Sequence, residues 1–197
     1  SQEGWKRAID LIGRVRMHDP EVRAKSFPHL LSGGMRQRSM IAMMISCEPK
    51  LLIADEPTTS VDVTTQAQLM DLLQEIKEKR KMSIMLITHN FGLVAERGDR
   101  VAVMYCGKLV EIGSVRDIFR EPLHPYTRGL MRCLPIGVER KKELNIIPGT
   151  LLSPINPPAG CRFYPRCKHA SGKCKLKEPE VFDAGKGHLV WCHLYGG

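Results

Sequence analysis

Apolar residues recur at helical spacing in several stretches of the chain and run unbroken in two others. Trp5, Ala8, Ile9, Ile12 and Val15 fall on one face of a helix over residues 3–17, and Asp19-Pro20 breaks it. Residues 24–29 read as a connector containing Pro28. Ser32 has the character of an N-cap, and residues 33–46 continue as a helix that stops at Glu48-Pro49. The apolar run Leu51-Leu52-Ile53-Ala54 predicts a buried strand over residues 50–55, and residues 83–88 predict a second. Between them, Leu69, Leu72, Leu73 and Ile76 mark one face of a helix over residues 63–80. A short helix follows over residues 91–96. Strands 100–105 and 108–112 then make a hairpin around Cys106-Gly107, and short helices cover 115–120 and 126–133. Helix and strand alternate to residue 120, so an α/β layer structure is expected.

The pattern changes after Pro135. Pro148, Pro154, Pro157, Pro158, Pro165 and Pro179 argue against long helices and central strands. Such a tail is expected to bury little and to need a metal or disulfides to hold it. Four of the seven cysteines lie there: Cys161, Cys167, Cys174 and Cys192, with gaps of five, six and seventeen residues. Zinc modules favour closer pairs, and disulfides are disfavoured in a reducing compartment. Four thiolates on irregular loops suit an iron–sulfur cluster, with zinc and free thiols as the alternatives. His188 and His193 flank Cys192 and read as caps or packing residues before they read as ligands. Cys47, Cys106 and Cys133 sit in apolar or helical contexts and read as packing residues.

Charge adds one asymmetry. The net charge of +9 is uneven: from Glu121 onward there are twelve Lys/Arg against six Asp/Glu. A basic tail can face nucleic acid, anionic lipid or an acidic partner, or be a plain solvated surface. Two Trp, four Tyr and five Phe are too few for an aromatic platform that stacks single strands. No stretch approaches the roughly 18–20 apolar residues of a membrane span. The first residues, Ser1-Gln2-Glu3-Gly4-Trp5, show no secretory signal and already follow the helical pattern. The expectation is a chain that begins part-way through a larger gene product.

Four short segments carry the candidate chemistry. Residues 31–38 read Leu-Ser-Gly-Gly-Met-Arg-Gln-Arg, where small residues offer free backbone N–H groups at a helix start, a good place for phosphate. Residues 51–57 end an apolar strand in Asp55-Glu56-Pro57. One carboxylate suits a hydrated Mg²⁺ and the other an attacking water. Thr59-Ser60-Val61-Asp62 precedes a helix that Asp62 can cap. His89, in Ile87-Thr88-His89-Asn90, stands just past the second strand, where an imidazole can hydrogen-bond a γ-phosphate.

Together these segments resemble the signature motif, Walker B, D-loop and switch histidine of an ABC-type ATPase. Ser60-Val61 departs mildly from the usual D-loop. The preceding Gly-x-x-x-x-Gly-Lys-Ser/Thr motif is absent from these 197 residues, and so is the glutamine loop. The run from Pro57 to Gln68, the segment His124-Pro125-Tyr126-Thr127, and Cys161-Arg162-Phe163-Tyr164-Pro165-Arg166-Cys167 are similar to the ATPases of oligopeptide and dipeptide importers.

The resemblance implies an α/β fold, a partial ABC-type P-loop NTPase domain. Residues 1–48 would end its helical subdomain and hold the signature motif. Residues 49–120 would form the Walker B, D-loop and switch-histidine part of the core. Residues 121–197 would be an irregular, Cys-rich extension. The resemblance also implies ATP and Mg²⁺ as cofactors, with catalytic roles for Glu56 and His89. Ser32, Gly33, Gly34, Gln37, Asp55 and Asp62 would bind the nucleotide or its metal. ATP would lie between two subunits, so Ser32, Gly33 and Gly34 would face the partner's nucleotide. Cys161, Cys167, Cys174 and Cys192 would hold a 4Fe–4S cluster, with zinc as the alternative.

The implied partners are a second ATPase subunit, two transmembrane permease subunits and, indirectly, an extracytoplasmic peptide-binding protein. The place is the cytoplasmic face of the cell membrane, and no nucleic acid is expected. Two rival classes stand beside this. A non-transport ABC ATPase acting on nucleic acid would use the basic tail, but the coiled coils or second ATPase module common in such proteins are not seen here. A non-catalytic remnant would only bind metal or a partner. Without the phosphate loop, the isolated chain is expected to bind ATP weakly or not at all.

Overall fold

Polar caps set where the long helices begin. The structure is a computed structural model and describes residues 1–58, 62–134, 146–150, 152, 155 and 157–195. The chain divides into two units, residues 1–89 and 90–197. In the first unit, α1 (Gln2–Arg14) starts at Ser1, whose side chain accepts from the Gly4 N–H. It ends before the predicted boundary, where Arg16 turns left-handed at φ 57°. Pro20 does more than break that helix. It opens a second, α2 (Pro20–Ala24), because proline at the first helical position loses no hydrogen bond and already has the right φ. A 3-10 turn at Pro28–Leu30 leads to α3 (Gly33–Ile45), capped by Ser32.

β1 (Leu51–Asp55) and β2 (Ser83–Ile87) flank α4 (Val63–Arg80). They pair in parallel, from Leu51 opposite Ser83 to Asp55 opposite Ile87. A parallel pair needs a crossover of this length, and α4 supplies it. Leu52 and Ala54 are buried, as are Ile41 and Ile45 of α3 and Leu69, Leu72, Leu73 and Ile76 of α4. Arg38 ties α3 to the end of α1 by donating to the Val15 carbonyl at 2.8 Å, and Arg80 ties α4 to α3 by donating to the Ile45 carbonyl at 3.1 Å.

The two strands were expected to be buried, but only one face of this pair is. Leu51 and Ile53 remain 52% and 55% exposed, and Met85 and Ile87 remain 52% and 42% exposed. An apolar run with both faces apolar suits a strand covered on both sides, and here one side is left to solvent.

In the second unit, α5 (Phe91–Arg97) is capped by Asn90. β3 (Arg100–Tyr105) and β4 (Lys108–Ser114) form the expected hairpin. Its two turn residues, Cys106 and Gly107, both have positive φ, at 47° and 78°, the backbone of a tight two-residue hairpin turn. α6 (Val115–Arg120) and α7 (Pro125–Cys133) follow.

The tail departs most from expectation. It contains a 3-10 turn at Tyr164–Arg166, α8 (Gly172–Leu176), β5 (Val181–Asp183) and β6 (Leu189–Trp191). The sheet order is β3-β4-β6-β5, so β6 is an internal strand. Its pairs are Glu111 with Val190 and Ile112 with Leu189. The prolines do not forbid this, because residues 180–195 contain none. The tail also buries more than its composition suggests: Phe163 is 3% exposed and Val190 fully buried. Phe163 packs into the core of Val103, Tyr105, Val110 and Ile118, with its ring edge-on to Tyr105 at 5.2 Å between centroids.

Candidate functional site

The carboxyl ends of parallel strands are where α/β sheets bind ligands. At that end of β1 and β2, Glu56 Oε1 lies 2.7 Å from His89 Nδ1. The pair forms because Glu56 continues the β ladder for one bond, its N–H donating to the Ile87 carbonyl at 2.9 Å, and then turns left-handed at φ 43°. A non-glycine residue in that conformation costs on the order of 1 kcal/mol and persists where its surroundings fix it. The turn takes Glu56 out of the strand's alternation. Asp55 keeps to it and lies on the exposed side with Leu51 and Ile53. Neither partner is enclosed: the His89 side chain is 82% exposed and that of Glu56 44%.

Ser32 is a working N-cap, its Oγ accepting from the Met35 N–H at 3.3 Å. The two glycines after it differ. A Cβ on Gly34 would lie 3.0 Å from the Thr65 methyl, so glycine lets α3 pack close to the start of α4 without displacing that side chain. A Cβ on Gly33 would meet nothing within 4 Å, and its φ is not in the left-handed region. Packing and backbone therefore give no reason for glycine there. Gln37 lies one turn further into α3, half-buried.

Asp62 caps α4 through two bonds from Thr65, N–H to Oδ1 at 2.9 Å and Oγ1–H to Oδ2 at 2.6 Å. These bonds, the side-chain one foremost, hold its carboxyl below the usual carboxylate range. Thr59, Ser60 and Val61, the rest of the D-loop expectation, lie outside the described residues.

In the second unit, the four tail cysteines line one cavity of about 190 Å³. Three of them open the same local structure. Cys161, Cys167 and Cys192 each accept, at their carbonyl, the N–H three residues on, from Tyr164, Ala170 and Tyr195. In each of these turns a backbone N–H two residues on favours the thiolate, from Phe163, His169 and Leu194. Cys174 has the Ser171 N–H at 3.5 Å from its sulfur. Burial outweighs these donors and raises the thiols of Cys161 and Cys167. It pushes Cys192 up to about 11, with smaller additions from the other three sulfurs. Among the described residues, no three His, Cys, Asp or Glu side chains are drawn together closely enough to hold a metal ion. The four sulfurs line one cavity without being drawn together into a metal-holding cluster, contrary to the expectation of a preformed centre.

Comparison with known proteins decides the family. The family model "ABC transporter" matches residues 2–59, and "Oligopeptide/dipeptide transporter, C-terminal region" matches residues 110–174. The oligopeptide transport ATP-binding protein AppD of Bacillus subtilis is 50% identical over 98% of this chain and 59% of its own length. This chain belongs to the oligopeptide/dipeptide transporter family of ABC proteins. The dipeptide transport ATP-binding protein DppD of Haemophilus influenzae is 50% identical over 95% of this chain and 56% of its own. The chain thus spans somewhat over half the length of the curated relatives it matches. Its fold is the mixed α/β fold of ABC nucleotide-binding subunits, in part. The solved structure of cbiO1 from Clostridium perfringens, part of the ABC transporter complex cbiONQ, matches with a TM-score of 0.51 at 32% identity. That match covers 59% of this chain and 45% of cbiO1.

The family's C-terminal region here contains a buried polar network that the sequence reading missed. Glu111 is fully buried. Its carboxylate accepts from the Leu123 N–H at 2.7 Å and the His124 N–H at 2.9 Å, and meets His188 Nε2 at 2.8 Å. His124, in the His-Pro-Tyr-Thr segment, caps α7 by accepting the Tyr126 N–H at Nδ1. That bond puts its proton on Nε2, and burial lowers its pKa to about 4 despite nearby Glu111. His188 is held by Glu111, and His193 donates from Nε2 to the Lys177 carbonyl while lining the thiol cavity. A charged residue at an inward position of a β-strand was the available signal, because a lone Glu in an apolar strand is buried only when partnered.

Proposed function

We propose that this chain is part of the ATP-hydrolysing, energy-coupling subunit of an ABC transporter that imports peptides. The observation that carries the reading is the Glu56–His89 pair at the carboxyl ends of β1 and β2, with Glu56 held left-handed. In this role Glu56 accepts the proton of the water that attacks the γ-phosphate. His89 fixes the carboxylate's direction and faces the phosphate that leaves. Asp55 would hold a hydrated Mg²⁺, which supplies charge neutralisation on the phosphate oxygens.

The exposure of both partners fits a site that a second ATPase subunit completes. So does Gly33, whose open surroundings admit an approaching phosphate from that partner. Ser32, Gly33, Gly34 and Gln37 then act on the partner's nucleotide, and Asp62 stands beside the same junction. The uncovered apolar face of β1 and β2 fits the remainder of an ATPase core, including a phosphate loop that these residues lack. Met40, Met43 and Met44 form an exposed face of α3, suited to a cytoplasmic loop of a permease. Among the described residues no helix is long and apolar enough to cross a membrane.

The four thiols of the second unit fit a 4Fe–4S cluster, with zinc as the alternative. The repeated tight turns that aim N–H groups at sulfur favour thiolate ligands, as metal binding demands. The site would act structurally, fastening the tail.

The test is Glu56→Gln in a subunit of full family length, assembled with its partner. The amide keeps the size but cannot take the proton. ATP hydrolysis should fall at least about 100-fold with ATP binding retained. Unchanged turnover would remove Glu56 from this role.

A further inference from the structure

Helix α8 (Gly172–Leu176) carries Cys174 but has little of its own to hold it in place. It is five residues long and contains no buried residue, and Leu176 at its end is 78% exposed. A helix this short is not stable by itself in water. The Ser171 N–H at 3.5 Å and the Ser171 Oγ at 3.4 Å reach the Cys174 sulfur from the same turn of chain, so they tie α8 to nothing else. Among the described residues, the hydrogen bond that joins α8 itself to another segment runs from the Cys161 N–H to the Cys174 carbonyl, at 2.8 Å.

That bond forms because residue 160 is glycine. Gly160 is buried. A Cβ there would lie 2.3 Å from the Cys174 carbonyl oxygen and 2.7 Å from both the carbon and the oxygen of the Lys175 carbonyl. These are backbone atoms, which cannot swing aside as the end of a side chain can. The φ of Gly160 is outside the left-handed region, so crowding and not backbone strain demands glycine. Any larger residue pushes α8 away from Cys161 and breaks the bond. Cys161 and Cys167 pack against the core around Phe163, and Cys192 is buried. The displacement therefore falls on Cys174.

We propose that Gly160 is a positioning residue that keeps Cys174 at the cavity of the other three sulfurs. This role rests on the reading of the four thiols as one metal centre, and it makes the four cysteines unequal. Three are set by their own turns and by the core. The fourth is set by the backbone of a different segment, pressed against α8 where no side chain fits. Metal ligands held by such supporting contacts lose affinity when the support is removed.

The test is cobalt(II) titrated into the reduced, metal-free chain without oxygen, read by thiolate-to-cobalt charge-transfer absorbance. Gly160→Ala should weaken binding at least about tenfold and lower the absorbance per cobalt to the level of Cys174→Ala. Gly160→Ala combined with Cys174→Ala should match Cys174→Ala within about twofold, because both changes remove the same ligand. Gly172→Ala makes the same change on α8 itself, where a Cβ meets nothing within 4 Å, and should bind like the parent. A further check needs no variant. Cobalt should slow hydrogen exchange of the Cys161 amide at least about tenfold, because that N–H donates to the carbonyl of a residue the metal fixes. Parent-like binding by Gly160→Ala, an additive loss in the double variant, or unchanged Cys161 exchange with cobalt bound would overturn the role of Gly160 and leave the metal centre standing. A parent chain that binds no cobalt would overturn both.

Discussion

The two units each gather chemistry-bearing side chains from distant parts of the sequence, and they do so in opposite ways. In the first, two parallel strands end side by side, and Glu56 and His89 meet at an open rim. In the second, four sulfurs from three turns and a short helix line one cavity, in a unit whose sheet the tail itself helps to build. The rim holds reactive groups that pack against little, so substitutions there should change chemistry and spare the fold. The sulfurs are half-buried to buried and the network beside them is buried, so substitutions there should change stability first. The first arrangement suits a surface that a second protein completes, and the second suits a fastening made within one chain.

The sharpest way to break this contrast is at the sulfurs. If they are a fastening, anaerobic purification should give a brown protein with about four irons per chain, and Cys192→Ser should lose the colour together with protease resistance of the tail. One zinc and no colour would keep the metal site and reject the cluster. Metal-free protein with a resistant tail would contradict both.

Glu111→Ala probes the same unit without touching a sulfur. It leaves the Leu123 and His124 N–H groups and the His188 ring without their buried acceptor. The expected loss is on the order of 3 kcal/mol, read as a lower urea midpoint of the second unit. A loss below about 1 kcal/mol would show that the network is solvated and the contrast overstated.

A smaller effect should follow pH. His124 has a folded pKa of about 4, below its ordinary 6.5, because burial disfavours the charged ring. Between these values the unfolded chain binds the extra proton. The stability that neutral His124 contributes is therefore complete above about pH 6.5 and lost progressively as pH falls toward 4. The decline should approach roughly 2–3 kcal/mol. His124→Asn, which keeps a capping side chain, should flatten it in urea titrations at pH 4.5 and 7.

How much of this could be read from the sequence follows from the range of the interactions. α4, β1, β2 and the hairpin were legible because their apolar spacing and caps are local, and the same locality marked Ser32, Glu56 and His89. α2 was not, because Asp19-Pro20 reads equally as the end of one helix and the start of another. β6 was missed for a different reason. It is three residues long, and its pairing joins Glu111 to Val190, a separation no local pattern records. The Glu111–His188 bond depends on that pairing and was hidden with it. The open face of β1 and β2 was unreadable because an apolar run states what a strand can bury, not what covers it.

The central claim is that the first unit presents one half of a nucleotide site to another subunit. The most direct measurement is ATP turnover by the assembled pair of full-length subunits in which this one carries Ser32→Arg. Charge and bulk at the start of α3 should block the partner's phosphate from reaching the helix terminus. The account predicts loss of turnover at the site facing Ser32, with the variant's circular dichroism and unfolding midpoint unchanged. Normal turnover by that pair would contradict it.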